Sequence, residues 1–101
     1  MKSRLKSTPL TAEEALDIAS RALLFVAEDT NRLQRFMGET GLDPQTLRQN
    51  AGSREVLCAA LGHVMEDEST ALTFAANAGL RPERLAEARS ALGLDGQWDS
   101  V

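Results

Sequence analysis

His63, Glu66 and Asp67 stand at i, i+3 and i+4, a spacing that places an imidazole and two carboxylates on one helical face and offers part of a metal site. Three groups from one turn do not surround an ion, because structural and catalytic metals draw on ligands that converge from several directions. The sequence therefore predicts no metal, and His63 is read as a histidine at the core margin, close to a helix C-terminus. The run Glu66-Asp67-Glu68 is then a helix end followed by the favourable negative first turn of the next helix. Cys58 and His63 are five residues apart, which turns them about 140° from one another around a helix and precludes a thiolate–imidazole dyad. Cys58 is read as a small packing residue. With one histidine, one cysteine and no tyrosine in 101 residues, and neither a Gly-rich phosphate loop nor a Gly-x-Ser-x-Gly elbow, the inventory predicts no catalytic residue and no cofactor.

The elements that carry these residues are helical. Leu and Ala occur 15 times each, against five for Val and Ile together, and Leu and Ala lose less rotamer freedom in a helix than β-branched residues do. Thr11-Ala12-Glu13-Glu14 has the spacing of a capping box. Over 12–27 the apolar residues, among them Ala15, Ile18, Ala22, Leu23, Phe25 and Val26, fill an arc of about 200°, the pattern of a central helix touched on two sides. Leu24 falls outside that arc. Asp29 suits an N-cap, Leu33, Phe36, Met37 and Thr40 form the inner side of the helix that follows, and Gly41 suits a left-handed C-terminal position. In Leu42-Asp43-Pro44-Gln45-Thr46-Leu47, Asp43 caps, Pro44 takes the first helical position, and Leu42 and Leu47 have the spacing of a hydrophobic staple. That third helix is expected to end near Gly52.

The same grammar returns 38 positions later. Ala22, Leu23, Val26, Glu28, Asp29, Phe36, Gly41, Leu42, Pro44 and Leu47 are matched by Ala60, Leu61, Val64, Glu66, Asp67, Phe74, Gly79, Leu80, Pro82 and Leu85. Ten identities in 28 ungapped positions exceed the two or three that this Leu- and Ala-rich composition gives by chance, and read as a tandem duplication. The expectation is an all-α compact bundle of about six helices, at 11–28, 30–40, 44–51, 53–66, 68–78 and 82–92. Two three-helix halves, 11–52 and 53–93, face each other through their long helices in one domain. A flexible basic tail precedes it at 1–10 and a C-terminal tail follows at 94–101. Inner-face changes between the copies compensate in size, Leu33 and Met37 giving way to Ala71 and Ala75 while Gln34 becomes Leu72.

Charge narrows the partners. The net charge is −4, and setting aside Lys2, Arg4 and Lys6 leaves the remainder at −7, a body that repels phosphate backbones and anionic lipid. No run approaches the roughly 20 apolar residues of a membrane span, and the basic start lacks the apolar stretch of a secretory signal. A lone Cys58 rules out an intrachain disulfide and fits the cytoplasm. Phe74-Ala75-x-x-Ala78-Gly79-Leu80-x-Pro82-x-x-Leu85 has the packing pattern of a helix-turn-helix. In the first copy Gln45, Arg48 and Gln49 would be its base readers, whereas the second presents Glu83 and Glu87.

Leu23-Leu24-Phe25-Val26-Ala27-Glu28-Asp29, Arg32-Leu33-x-x-Phe36, Thr40-Gly41-Leu42-Asp43-Pro44 and Phe74-Ala75-Ala76-x-Ala78-Gly79-Leu80 together resemble the small alphaproteobacterial helical proteins grouped as domain of unknown function 3572. The resemblance spans 10–93. It implies a bacterial cytoplasmic protein and carries no activity, cofactor or catalytic residue. The reading is a non-enzymatic protein-interaction domain, adaptor or regulator of an unidentified partner, with Leu24 and Trp98 as candidate partner contacts and a monomer or weak homodimer as its state. The alternative is a helix-turn-helix-like DNA-binding protein using Gln45, Arg48 and Gln49.

Overall fold

Thr11 opens the first helix as its spacing predicts: its hydroxyl accepts from the Glu14 backbone N–H at 3.0 Å while the Glu14 carboxylate accepts from the Thr11 N–H at 2.9 Å. The computed structural model describes residues 10–93. Within them six helices follow one another, α1 (Ala12–Ala27), α2 (Thr30–Thr40), α3 (Pro44–Gln49), α4 (Arg54–Met65), α5 (Glu68–Ala78) and α6 (Pro82–Ala91), with no strand among the described residues. The parts of the expected tails at 1–9 and 94–101, and Trp98 with them, lie outside the described residues.

Short local signals set each boundary. Asp29, Asp43, Ser53 and Asp67 all hold extended backbone and accept from the N–H three residues on, satisfying donors that the first turn leaves free. Gly41 and Gly79 close α2 and α5 at φ 77° and 70°, a region that a side chain disfavours. Arg81 occupies the position of Asp43 but makes no side-chain cap bond, so α6 begins on its proline alone. The α3 helix is two residues shorter than its sequence pattern predicts, because the Asn50 N–H turns back to the Thr46 and Leu47 carbonyls and the Asn50 side chain also bonds Thr46.

The core lies between α1 and α4, the most extensive helix pair. Ala15, Ala19, Ala22 and Ala60 are fully buried there with Val26, Leu61 and Val64, small side chains that let two helix axes approach closely. Phe36 from α2, Phe74 from α5 and Leu85, Ala88 and Leu92 from α6 and its end close the remaining sides. The Phe25 and Phe74 rings lie 5.4 Å apart, and the Phe36 and His63 rings 5.5 Å apart, distances at which aromatic pairs attract. Two inward assignments do not hold. Thr40 is exposed, its hydroxyl folded back onto the Phe36 carbonyl at 2.9 Å. Leu72 is 47% exposed, so it fills none of the space given up by Ala71 and Ala75.

Candidate functional site

Among the described residues the helices leave a large depression. Along α4, Glu55, Cys58, Ala59, Gly62 and Glu66 form a stripe at helical spacing that lines a groove of about 870 Å³. The last turn of α2 contributes Phe36, Glu39 and Thr40 to one wall, and the end of α6 contributes Arg89 and Leu92 to the other. Gly62 opens the floor: a β-carbon there meets nothing within 4 Å. Its counterpart 38 residues earlier is Leu24, whose side chain is 62% exposed.

At the α2 wall, the packing of Phe36 edge-on to the His63 ring brings Glu39 over the imidazole. The His63 side chain is only 7% exposed, and its Nδ1 lies 2.7 Å from the Glu39 Oε1. Glu66, one turn beyond His63, joins them so that one donor atom from each residue lies within 4.8 Å of the others. Asp67 is not part of this group; its carboxylate accepts from both the N–H and the hydroxyl of Thr70 as the α5 cap. Those bonds hold the Asp67 carboxyl below its ordinary value.

At the other end, the Arg54 guanidinium donates to the Leu92 carbonyl at 2.9 Å, satisfying an acceptor that the α6 terminus leaves without an intrahelical partner. This bond ties α6 to the start of α4 and fixes that wall. Burial pushes the Cys58 thiol up, opposed by the nearby Arg54 charge, which makes it a weak nucleophile. It packs against the core and also faces the groove.

Among the described residues singled out for partner or DNA contact, none lines this groove. Leu24 stands on the outer face of α1, and Gln45, Arg48 and Gln49 are exposed on α3. Sequence spacing missed Glu39 and Arg54, because both reach the site from outside the turn that carries His63. A signal was present at the 38-residue offset: His63 and Glu39 replace what would be Phe25 and Asn77, an imidazole and a carboxylate arriving together at facing positions.

An all-α domain, with six helices among the described residues around an α1–α4 core and a groove of mixed charge, is the class this architecture defines. Residues 12–95 match the family described as "Protein of unknown function (DUF3572)", and the chain belongs to that family. No curated protein and no solved structure matches it. No described helix is long and apolar enough to cross a membrane.

Proposed function

We propose that the chain is a small cytoplasmic interaction domain, an adaptor or regulator that binds a segment of a partner protein in the α2–α4–α6 groove. The groove itself is the observation behind this reading: its lining joins the apolar Phe36, Ala59 and Leu92 to the carboxylates of Glu39, Glu55 and Glu66. Two cations, Arg54 and Arg89, line the other end against these three carboxylates, and the Arg54 guanidinium bonds the Leu92 carbonyl there. Such a surface complements an apolar anchor flanked by lysine or arginine. The acidic body of the chain attracts the same kind of segment.

The test is peptide selection from a random library followed by fluorescence anisotropy. Selected peptides are expected to join an apolar residue to basic neighbours. Gly62→Trp, at a position where a β-carbon meets nothing within 4 Å, should block the groove and abolish binding. Wild-type affinity in Gly62→Trp, or selection of acidic peptides, refutes the groove. Loss of binding in Leu24→Asp instead would move the interface to the outer face of α1, where Leu24 is exposed.

The DNA alternative has less support. Gln45, Arg48 and Gln49 are exposed, but α3 has six residues, about 9 Å of helix, within an acidic chain. Salt-sensitive binding of mixed duplex, weakened by Arg48→Ala, would favour it over the groove. We also infer that the halves descend from one duplicated module. Supporting this, Phe25 with Phe74 and His63 with Phe36 are the same pair of positions exchanged between halves.

A further inference from the structure

We propose that Glu39, His63 and Glu66 form a binding site for one divalent first-row transition-metal ion, such as zinc or cobalt, at the α2 wall of the groove. This goes beyond the partner reading and does not depend on it.

Three donors converge from two elements. His63 and Glu66 come from one turn at the end of α4, and Glu39 comes across from the last turn of α2, so the ligands approach from different sides. Metal bonds of about 2.0–2.2 Å place neighbouring ligand atoms about 3–3.5 Å apart. The donor atoms stand within 4.8 Å of one another, with Nδ1 and Oε1 at 2.7 Å. Glu39 is 42% exposed at its side chain and Glu66 is exposed. The adjustment that coordination asks for falls on the side chains of two solvent-facing glutamates.

His63 is the fixed member. Its ring is buried, held edge-on against Phe36, and its backbone carbonyl accepts from the Glu66 N–H. That rigidity preorganises the nitrogen ligand, while the groove leaves room for the flexible ones to close. Two carboxylates this close repel one another, and a cation between them removes the repulsion. The ion takes the place of the hydrogen in the 2.7 Å imidazole–carboxylate contact, with the Nδ1 lone pair as ligand and the single N–H of the neutral imidazole carried on Nε2.

The donor set selects the ion. An imidazole with two carboxylates suits first-row transition metals, whereas calcium and magnesium favour shells of oxygen with more ligands than these residues supply. Three protein ligands beside an open groove leave the remaining coordination positions to water or to a ligand within the groove. The positions 38 residues away carry Phe25, Glu28 and Asn77, which lack the histidine, so the stoichiometry should be one ion per chain.

The full-length chain, stripped with chelator, is titrated with Co²⁺ while its visible absorption is followed, and with Zn²⁺ and Mg²⁺ by calorimetry. Expected are one Co²⁺ or Zn²⁺ per chain, at least tenfold tighter than Mg²⁺, and a rise in Tm with saturating Zn²⁺. Glu39→Gln and Glu66→Gln, both on exposed side chains, should each weaken Zn²⁺ at least tenfold. Glu55→Gln, in the same groove but outside the cluster, should not. His63→Ala should abolish the cobalt spectrum, and circular dichroism reports whether that variant still folds. Zinc bound no tighter than magnesium would overturn the site, as would wild-type affinity in both glutamine variants. Loss of the cobalt spectrum in Cys58→Ser would also overturn it, by assigning the ion to the thiol.

Discussion

Asp29, Asp43 and Asp67 each hold their carboxyl below the ordinary aspartate value of 3.8, chiefly through the backbone N–H three residues on, at the third position of the helix they cap. A folded-state pKa below the unfolded one means that the ionised cap stabilises the fold. This contribution is fully present above the unfolded value, and it disappears as pH falls through the depressed ones. Thermal melts should therefore be flat from pH 7 to about 5 and fall steeply below about pH 4, the unfolded range of aspartate. Asparagine caps as well as aspartate does but carries no proton to gain. The triple variant Asp29→Asn/Asp43→Asn/Asp67→Asn should keep most of its Tm at pH 7 and lose much of this acid sensitivity; an unchanged acid limb would place the titration elsewhere. Thr11→Ala tests a cap without charge, and its loss should cost about 1 kcal/mol in urea unfolding at any of these pH values. At this scale the sequence was legible, because a capping box or an Asp-Pro pair operates within four residues. His63 with Glu39 was not, since 24 residues separate partners that only the packing of α2 against α4 brings together.

Within one helix, α2, two glycines make opposite demands on the backbone. Gly38 lies in the helical interior, Gly41 just past its end at φ 77°, and a β-carbon at either meets nothing within 4 Å. Sterics with neighbours therefore drop out, and backbone conformation alone sets the sign. Gly38→Ala should stabilise the chain by about 0.4–1 kcal/mol, by restricting the unfolded state and favouring helix. Gly41→Ala should destabilise it by about 1–2 kcal/mol, the cost of a left-handed alanine. Urea midpoints at constant m-value measure both, and two shifts of the same sign would contradict the assignment of Gly41 as the helix stop. The same local character explains why all six helices were readable to within about two residues, while the direction of Thr40 and Leu72 was not. Thr40 had its own carbonyl partner one turn back, which outweighed the apolar face, and Leu72 follows a helix rotation that α4 and α6 decide. The groove depends on where the end of α6 meets the start of α4, and nothing in either segment alone encodes that meeting.

Across the whole molecule the halves correspond in their long and middle helices and differ in the third. The α1–α2 and α4–α5 packings match, as do α1–α5 and α4–α2, but α6 packs on α1, α4 and α5 while α3 makes no comparable contact with any helix. The difference begins in α3 itself, which has six residues and buries only Leu47, whereas α6 has ten and buries Leu85 and Ala88, with Leu92 following. Leu47 and Leu85 hold the same position in the sequence pattern, so the pair separates local identity from global packing. Leu85 is 2% exposed and Leu47 9%. On a helix packed against three others, Leu85→Ala should leave a cavity that collapses little and cost about 3–5 kcal/mol; Leu47→Ala, on a helix with no comparable packing, should cost no more than about 2 kcal/mol. The same asymmetry orders local opening, since a helix with few buried contacts exchanges its amides at a lower free energy. Native-state hydrogen exchange should find Leu47 and Arg48 exchanging well before Ala88 and Arg89, in the body of α6. Equal losses at the two leucines, together with equal protection of α3 and α6, would mean that α3 is anchored as firmly as its counterpart. The groove wall formed by α6 would then owe nothing to the unequal docking of the two short helices.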